Sequence, residues 1–381
     1  MKILHVITTL DVGGAEMHLL AQVRGQTARG HAVRVCFLKG GGALARDFAS
    51  AGAERVERVS WLPLGPRSPL SHLRWADVVH SHLLKADALT ALAATLAGRR
   101  ARLVSGKHND EQVLRRPLVS LAHGLLGNLP RRTIVLSDHV GRFVHEHGRV
   151  RSEGLRRVYY GIDPEPFERA AAAPAAAKAK LRAELGLAPQ DVVFVCVARF
   201  APQKAHGVLL EAFSLARAAE GAPPVRLLLV GDDPFGGGRR RAEGCAARLG
   251  LGDAVRFAGI RRDVPQILAA SDVFVMSSLW EGLGLVFLEA MASGLSVLST
   301  RVSAVPEVVL DGETGVLVAP GEAPALATAM LALARDPGRR AELGRAGRER
   351  VRAVFGLERM VDETLAVYAE LLDGPHDARP G

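Results

Sequence analysis

A chain of 381 residues, 48% hydrophobic and 23% charged, is too long for most single cores and too apolar for disorder, so two globular domains are expected. Forty-nine Lys and Arg against 40 Asp and Glu leave a net charge of +9, which suits either a solvated surface or attraction to phosphates or an anionic membrane face. No basic stripe with interleaved aromatics argues for nucleic acid, and no apolar run has the length of a membrane span.

The first residues, MKILHVITTL, are apolar but brief and run into Asp11 and Gly13-Gly14, which reads as a strand over Ile3 to Ile7 rather than a signal peptide. Cys36, Cys196 and Cys245 form no C-x-x-C, and the first two lie in apolar runs, as expected of reduced core thiols in a cytoplasmic protein. The loop Thr9 to Glu16, TLDVGGAE, joins strand to helix; its Gly pair lets backbone approach a ligand, and a plain turn explains it equally well. It is not G-x-G-x-x-G, and no acid closes the second strand, so nicotinamide binding is disfavoured. Leu19, Leu20 and Val23 space a helix over Ala15 to Ala28, and AVRVCFL at Ala32 to Leu38 is the next strand. Gly40 to Gly42 lead into a helix ending near Ala51. Strands then follow at Asp77 to Ser81, Arg102 to Ser105 and Arg132 to Leu136. His80 and His82, in DVVHSH, read as structural or acceptor-side residues; His18 and His206 read as helix-surface residues.

After Tyr160 to Asp163 the composition changes. Ala170 to Ala179, almost all Ala with Pro174, reads as an inter-domain linker or an exposed helix. The strand pattern restarts at Val192 to Val197, Val225 to Val230, Ala254 to Phe257, Val273 to Met276, Ser296 to Ser299 and Gly315 to Val318. This alternation predicts an α/β chain of two Rossmann-like domains facing across a cleft, residues 1–163 and 164–355. An amphipathic helix follows at Gly356 to Leu372, and Asp373 to Gly381 read as disordered. Ligands of such sheets bind at the carboxyl edge.

The stretch Ser271 to Thr300 is the densest in chemistry. It reads as strand, Gly-bearing loop, helix over Leu285 to Ala292 and strand, with Glu281 in the loop and Glu289 in the helix. The helix opens just after Gly282 and Gly284, so its free N–H groups and positive dipole end offer a phosphate site. Arg199 and Lys204, past the strand ending at Ala198, supply a planar fork and a point charge suited to a diphosphate. Glu289 sits among Val286, Phe287, Leu288, Ala290 and Met291; an acid on so apolar a helix needs a partner, and ribose hydroxyls would supply one.

The joint pattern of GGAE, R-x4-K, E-G-x-G with a second Glu eight residues after the first, and VPEVVLDGETGVLV at Val305 to Val318 resembles the retaining GT-B glycosyltransferases of family 4. The resemblance covers essentially the whole chain and is most specific in the C-terminal half. It implies that Arg199 and Lys204 neutralise the diphosphate of a nucleotide-sugar donor and that Glu289 holds the ribose. Glu281 and the Gly282, Leu283, Gly284 and Leu285 backbone would contact the donor sugar and phosphate. Gly13 and Gly14 would approach the diphosphate from the N-terminal domain, His108 in SGKHND would face the donor sugar, and the final helix would cross back onto that domain. Ala205 replaces the Gly that commonly follows the Lys, and Leu283 the Phe of E-G-F-G.

The reaction implied is retaining transfer of a hexose or N-acetylhexosamine, from a UDP-sugar by default, to a hydroxyl of a sugar, lipid-linked or small acceptor. Glu281, His108, Arg199 and Lys204 are its catalytic candidates. No second carboxylate is placed as a nucleophile, so front-face transfer is favoured, the leaving phosphate taking the acceptor proton. There is no Asp-x-Asp, so neither metal nor cofactor is expected. The alternatives are a nucleotide-sugar epimerase or hydrolase and a non-catalytic binding module, and the basic balance leaves peripheral attachment at the inner membrane face open.

Overall fold

The computed structural model describes residues 1–60, 68–234 and 236–373; 374–381, expected to be disordered, lie outside the described residues. The chain divides into two compact units, Met1–Ile162 with Leu357–Gly381, and Asp163–Gly356.

The first unit holds a sheet of Lys2–Ile7 (β1), Ala32–Phe37 (β2), Arg55–Arg58 (β3), Val78–His82 (β4), Leu103–Lys107 (β5), Arg132–Val135 (β6) and Leu155–Arg157 (β7). The order is β3-β2-β1-β4-β5-β6-β7 and every pairing is parallel. β3 and β7, the two edges of this sheet, escape the sequence reading. RVER and LRR are too short and too charged to show an apolar run, as edge strands exposed to pairing partners tend to be. Alternation sends Ile3 and Ile7 to one face of the sheet, under the helices Gly14–Ala28 and Leu357–Leu372, and Leu4 and Val6 to the other. Met360, Val361, Val367, Tyr368 and Leu371 anchor the C-terminal helix to this unit by apolar burial. Ion pairs from Arg29 to Glu358 and Asp362, and from Arg132 and Arg156 to Glu370, fix its register at the rim.

The second unit holds Val192–Val197 (β8), Val225–Val230 (β9), Val255–Gly259 (β10), Val273–Met276 (β11), Ser296–Thr300 (β12) and Gly315–Val318 (β13), in the order β10-β9-β8-β11-β12-β13, all parallel. The linker reading of the Ala-rich segment is corrected here: it forms the helices Glu165–Ala171 and Ala175–Glu184 of this unit. Ala has the highest helix propensity, and Pro174 interrupts the run only at the start of the second helix, which buries no side chain. No helix among the described residues is long and apolar enough to cross a membrane.

In each sheet the strand order reverses once, between β1 and β4 and between β8 and β11. The loops leaving such neighbours run in opposite directions and open a crevice at the carboxyl edge. In the first unit, a buried ion pair lies at that edge: Lys107 Nζ contacts Asp87 Oδ2 at 2.6 Å, and Ser81 Oγ donates to the same carboxylate at 2.6 Å. Removing one partner of a buried pair leaves the other charge uncompensated. Asp87→Ala should therefore lower unfolding stability by about 3–5 kcal/mol, read by urea denaturation. A loss below about 1 kcal/mol would show that Lys107 is already solvated.

Candidate functional site

In the second unit the site is built by the two loops at the β8/β11 reversal. The turn Pro202–Lys204 follows β8, and residues 277–284 follow β11. They are sewn together: Leu279 N donates to Gln203 O at 2.8 Å, Gln203 Nε2 to Trp280 O at 2.6 Å, and Ser277 Oγ to Lys204 O at 2.9 Å. At the centre Lys204 Nζ meets Glu281 Oε1 at 2.5 Å, with both side chains largely buried. Ser278 Oγ donates to the same oxygen at 2.5 Å, and Glu281 N donates to Ser303 Oγ at 3.2 Å. The sequence reading assigned Lys204 and Glu281 to different parts of a donor; the fold couples them into one charge pair. Nothing in the sequence signals that link across 77 positions, nor the parts played by Ser278, Gln203 and Ser303.

Gly284 closes the loop at φ +78°, where an added Cβ would lie 2.6 Å from the Phe287 ring, so glycine is required there. The helix Leu285–Ala292 begins at once, with its first-turn N–H groups at this edge. Leu283 is buried beneath the loop, and Arg199 stands exposed at the carboxyl end of β8. Glu289 is half-buried, and its carboxylate has no hydrogen-bond partner among the described residues. Desolvation pushes its pKa up from 4.5 to about 7.

In the first unit Gly13 caps the helix Gly14–Ala28 with extended backbone. Nothing lies near a Cβ added at Gly14, whereas one at Gly13 would meet the Glu16 carboxylate at 2.5 Å. His108, just past β5, does not stand alone. Its Nε2 lies 2.9 Å from His82 Nδ1 and its Nδ1 lies 2.5 Å from the Tyr160 hydroxyl. Both ring nitrogens are therefore engaged within the unit, and desolvation lowers the pKa to about 4. Two expectations are corrected: His18 is buried and stacks on Tyr160 at 3.8 Å between ring centroids, and His206 is buried against Phe200 at 4.6 Å. His80 and His82 are buried inside β4. His5, His80 and His82 bring one ligand atom each within 4.8 Å of one another, the one group among the described residues able to hold a metal. A divalent ion there would have to displace the proton between His5 Nδ1 and His82 Nε2, 2.9 Å apart.

The family model for "Glycosyltransferase Family 4" matches residues 12–166, and that for "Glycosyl transferases group 1" matches 191–336. A GDP-mannose-dependent alpha-(1-6)-phosphatidylinositol monomannoside mannosyltransferase of Mycolicibacterium smegmatis is 33% identical over 75% of this chain and 82% of its own. The chain belongs to glycosyltransferase family 4. This glycosyltransferase is also 29% identical to the N-acetyl-alpha-D-glucosaminyl L-malate synthase of Bacillus anthracis, over 78% of this chain and 75% of that one. The Anabaena protein HepE, solved with UDP and glucose, superposes with a TM-score of 0.86 at 25% identity, over 97% of this chain and all of HepE. Two Rossmann-like domains of the GT-B class are thus the architecture of this glycosyltransferase.

The raised pKa of Glu289 has a signed consequence. Between pH 4.5 and about 7 the folded state holds a proton that the unfolded state has lost, so stability falls as pH rises through this window and levels off above it. Glu289→Gln removes that dependence. Its stability relative to the parent should improve by about 2 kcal/mol between pH 5 and pH 8, read by urea unfolding. Parallel pH profiles for the two proteins would show that Glu289 is solvated.

Proposed function

We propose that this enzyme is a retaining hexosyl- or N-acetylhexosaminyltransferase whose donor is a nucleotide-diphosphate sugar. The observation that carries the reading is the β8/β11 crevice, with Arg199, the Lys204–Glu281 pair and the opening of helix Leu285–Ala292 at one sheet edge. Departure of a nucleoside diphosphate builds negative charge on its β-phosphate. Preorganised cations and free N–H groups stabilise that charge most in the transition state. Pairing with Glu281 holds Lys204 in place without leaving a bare charge buried before the donor arrives. Glu289, unpartnered on its apolar helix, suits two ribose hydroxyls, and once bound these replace the missing hydration of the carboxylate. We assign Gly13, Gly14 and His108 to the donor contacts as well, by the resemblance of their motifs to the family's. With no second carboxylate set as a nucleophile, transfer proceeds on the front face and the leaving phosphate takes the acceptor proton; neither metal nor cofactor enters the scheme. UDP is the favoured base, supported by HepE with its UDP; the mannosyltransferase named for GDP-mannose makes GDP the competitor.

The test is melting temperature with UDP, GDP, ADP and TDP, followed by transfer assays in which the anomeric configuration of the product is read by NMR. One nucleotide should raise the melting point by mass action, and Arg199→Ala should abolish the shift and cut turnover on the order of a hundredfold. No shift with any nucleotide, or an inverted product, would overturn the proposal.

The acceptor reading includes a membrane face. Helix Pro117–Leu126 exposes Leu118 at 82%, Leu121 at 52% and Leu125 at 71%, directly after Arg115-Arg116. Leu92 and Leu96 of the neighbouring helix Leu84–Leu96 extend the patch. Leucines beside arginines fit peripheral attachment to an anionic inner membrane face, which would present lipid-linked acceptors. The protein should co-sediment with phosphatidylglycerol vesicles but not with phosphatidylcholine vesicles, and Leu118→Glu with Leu125→Glu should abolish sedimentation. No sedimentation of the parent would leave only soluble acceptors, and equal sedimentation of parent and variant would move the attachment off this helix.

A further inference from the structure

Three strands of the first unit, β1, β4 and β5, deliver imidazoles and a glycine to one point. His5 on β1 is registered with His80 on β4, and His82, two residues on, shares the face of His80. Gly106 on β5 is registered with His82. An added Cβ at Gly106 would lie 2.8 Å from His80 Nε2 and 3.1 Å from both His82 Nδ1 and His108 Nε2, so the space among these rings exists only because residue 106 has no side chain. Above them runs helix Gly14–Ala28, whose Gln26 points at His5.

The polar contacts form a line. Gln26 Oε1 lies 2.9 Å from His5 Nε2, His5 Nδ1 lies 2.9 Å from His82 Nε2, His82 Nδ1 lies 2.9 Å from His108 Nε2, and His108 Nδ1 lies 2.5 Å from the Tyr160 hydroxyl. A neutral imidazole has one donor and one acceptor nitrogen, so a single proton placement sets every other in the line. Both ends choose the same one. Tyr160 is buried and has no second partner among the described residues, so its hydrogen goes to His108 Nδ1. At the other end Gln26 Oε1 faces His5 Nε2 at 2.9 Å and, as a carbonyl oxygen, can only accept from it. Reversing the line would leave the Tyr160 O–H buried without an acceptor, a cost of about 1–3 kcal/mol. Desolvation keeps all three rings neutral at pH 7, with His5 and His108 at about 4 and His82 well below its ordinary value.

We propose that Gln26, His5 and His82 are positioning residues that hold His108 with its proton on Nε2 and its Nδ1 as an obligate acceptor. The proposal rests on the reading of His108 as the residue facing the donor sugar. Its consequence is selective: a ligand group replacing Tyr160 at His108 Nδ1 must donate, as a sugar hydroxyl does. A carboxylate or phosphoryl oxygen would meet the lone pair and be rejected.

Histidine-selective 15N labelling of the full chain and two-bond 1H–15N spectra at pH 7.5 read the tautomers directly. His5, His82 and His108 should each appear protonated at Nε2 and bare at Nδ1. Any of the three protonated at Nδ1, or doubly protonated, would overturn the wire. Equimolar Zn2+ should leave these signals unchanged; their loss would mean that His5, His80 and His82 form a metal site instead. In His82→Leu the His108 signal should shift toward a tautomer mixture and the transfer rate should fall about tenfold or more. His82→Gln, which keeps a donor and an acceptor, should recover most of both. Equal rate losses in the two variants, with the His108 tautomer unchanged, would reduce His82 to packing. The nucleotide-induced melting shift, read in the same samples, should survive in both variants. Its absence in the parent would instead count against the donor-site reading while leaving the tautomer result standing.

Discussion

A lysine taken out of water must keep a counter-charge, and in this chain that requirement ties the second unit together. Lys204 leaves β8 and Glu281 leaves β11, and their contact at 2.5 Å holds the two diverging loops of a parallel sheet at one place. Around it the serines and Gln203 satisfy backbone and carboxylate groups that the loops would otherwise bury unpaired. A phosphate approaching this edge finds the charge already paid out in geometry, with little rearrangement left to make.

The first unit solves a related problem without charge. Its interior gathers the imidazoles of His5, His18, His80, His82 and His108 around one place, and burial keeps them neutral. A neutral ring can give one hydrogen bond and accept one, and in the line from Gln26 to Tyr160 His5, His82 and His108 each satisfy the next. His18, Gln22 and Gln26, spaced four apart, form a polar stripe on helix Gly14–Ala28 that faces inward; in a sequence such a stripe reads as a solvent face, which is why His18 was misplaced.

Central strands were legible because burial on both faces forces continuous apolar runs such as VVFVCV at β8 and VFVM at β11. Helix Leu285–Ala292 was legible to the residue, since Gly284 before it and Ser293-Gly294 after it punctuate the run. The edge strands β3 and β7 were not, because RVER and LRR are too short and too charged to show an apolar run, unlike the more apolar edges VRFAG and GVLV of the second sheet. The Ala-rich segment was ambiguous because low complexity describes composition, whereas helix formation follows from the backbone preference of Ala.

What the sequence determined by itself is the repeated strand–helix alternation and the local chemistry of its loops: Arg199 with Lys204, Glu281 with Gly284, and an acid, Glu289, on an apolar helix. These depend on neighbours within a dozen residues, and local spacing carries them. The tertiary structure decided which residues share a partner. Lys204 meets Glu281 across 77 positions, and His5 meets His82 across another 77, because parallel strands adjacent in a sheet are distant in the chain. Register between strands sets those meetings, and register is a property of the assembled sheet.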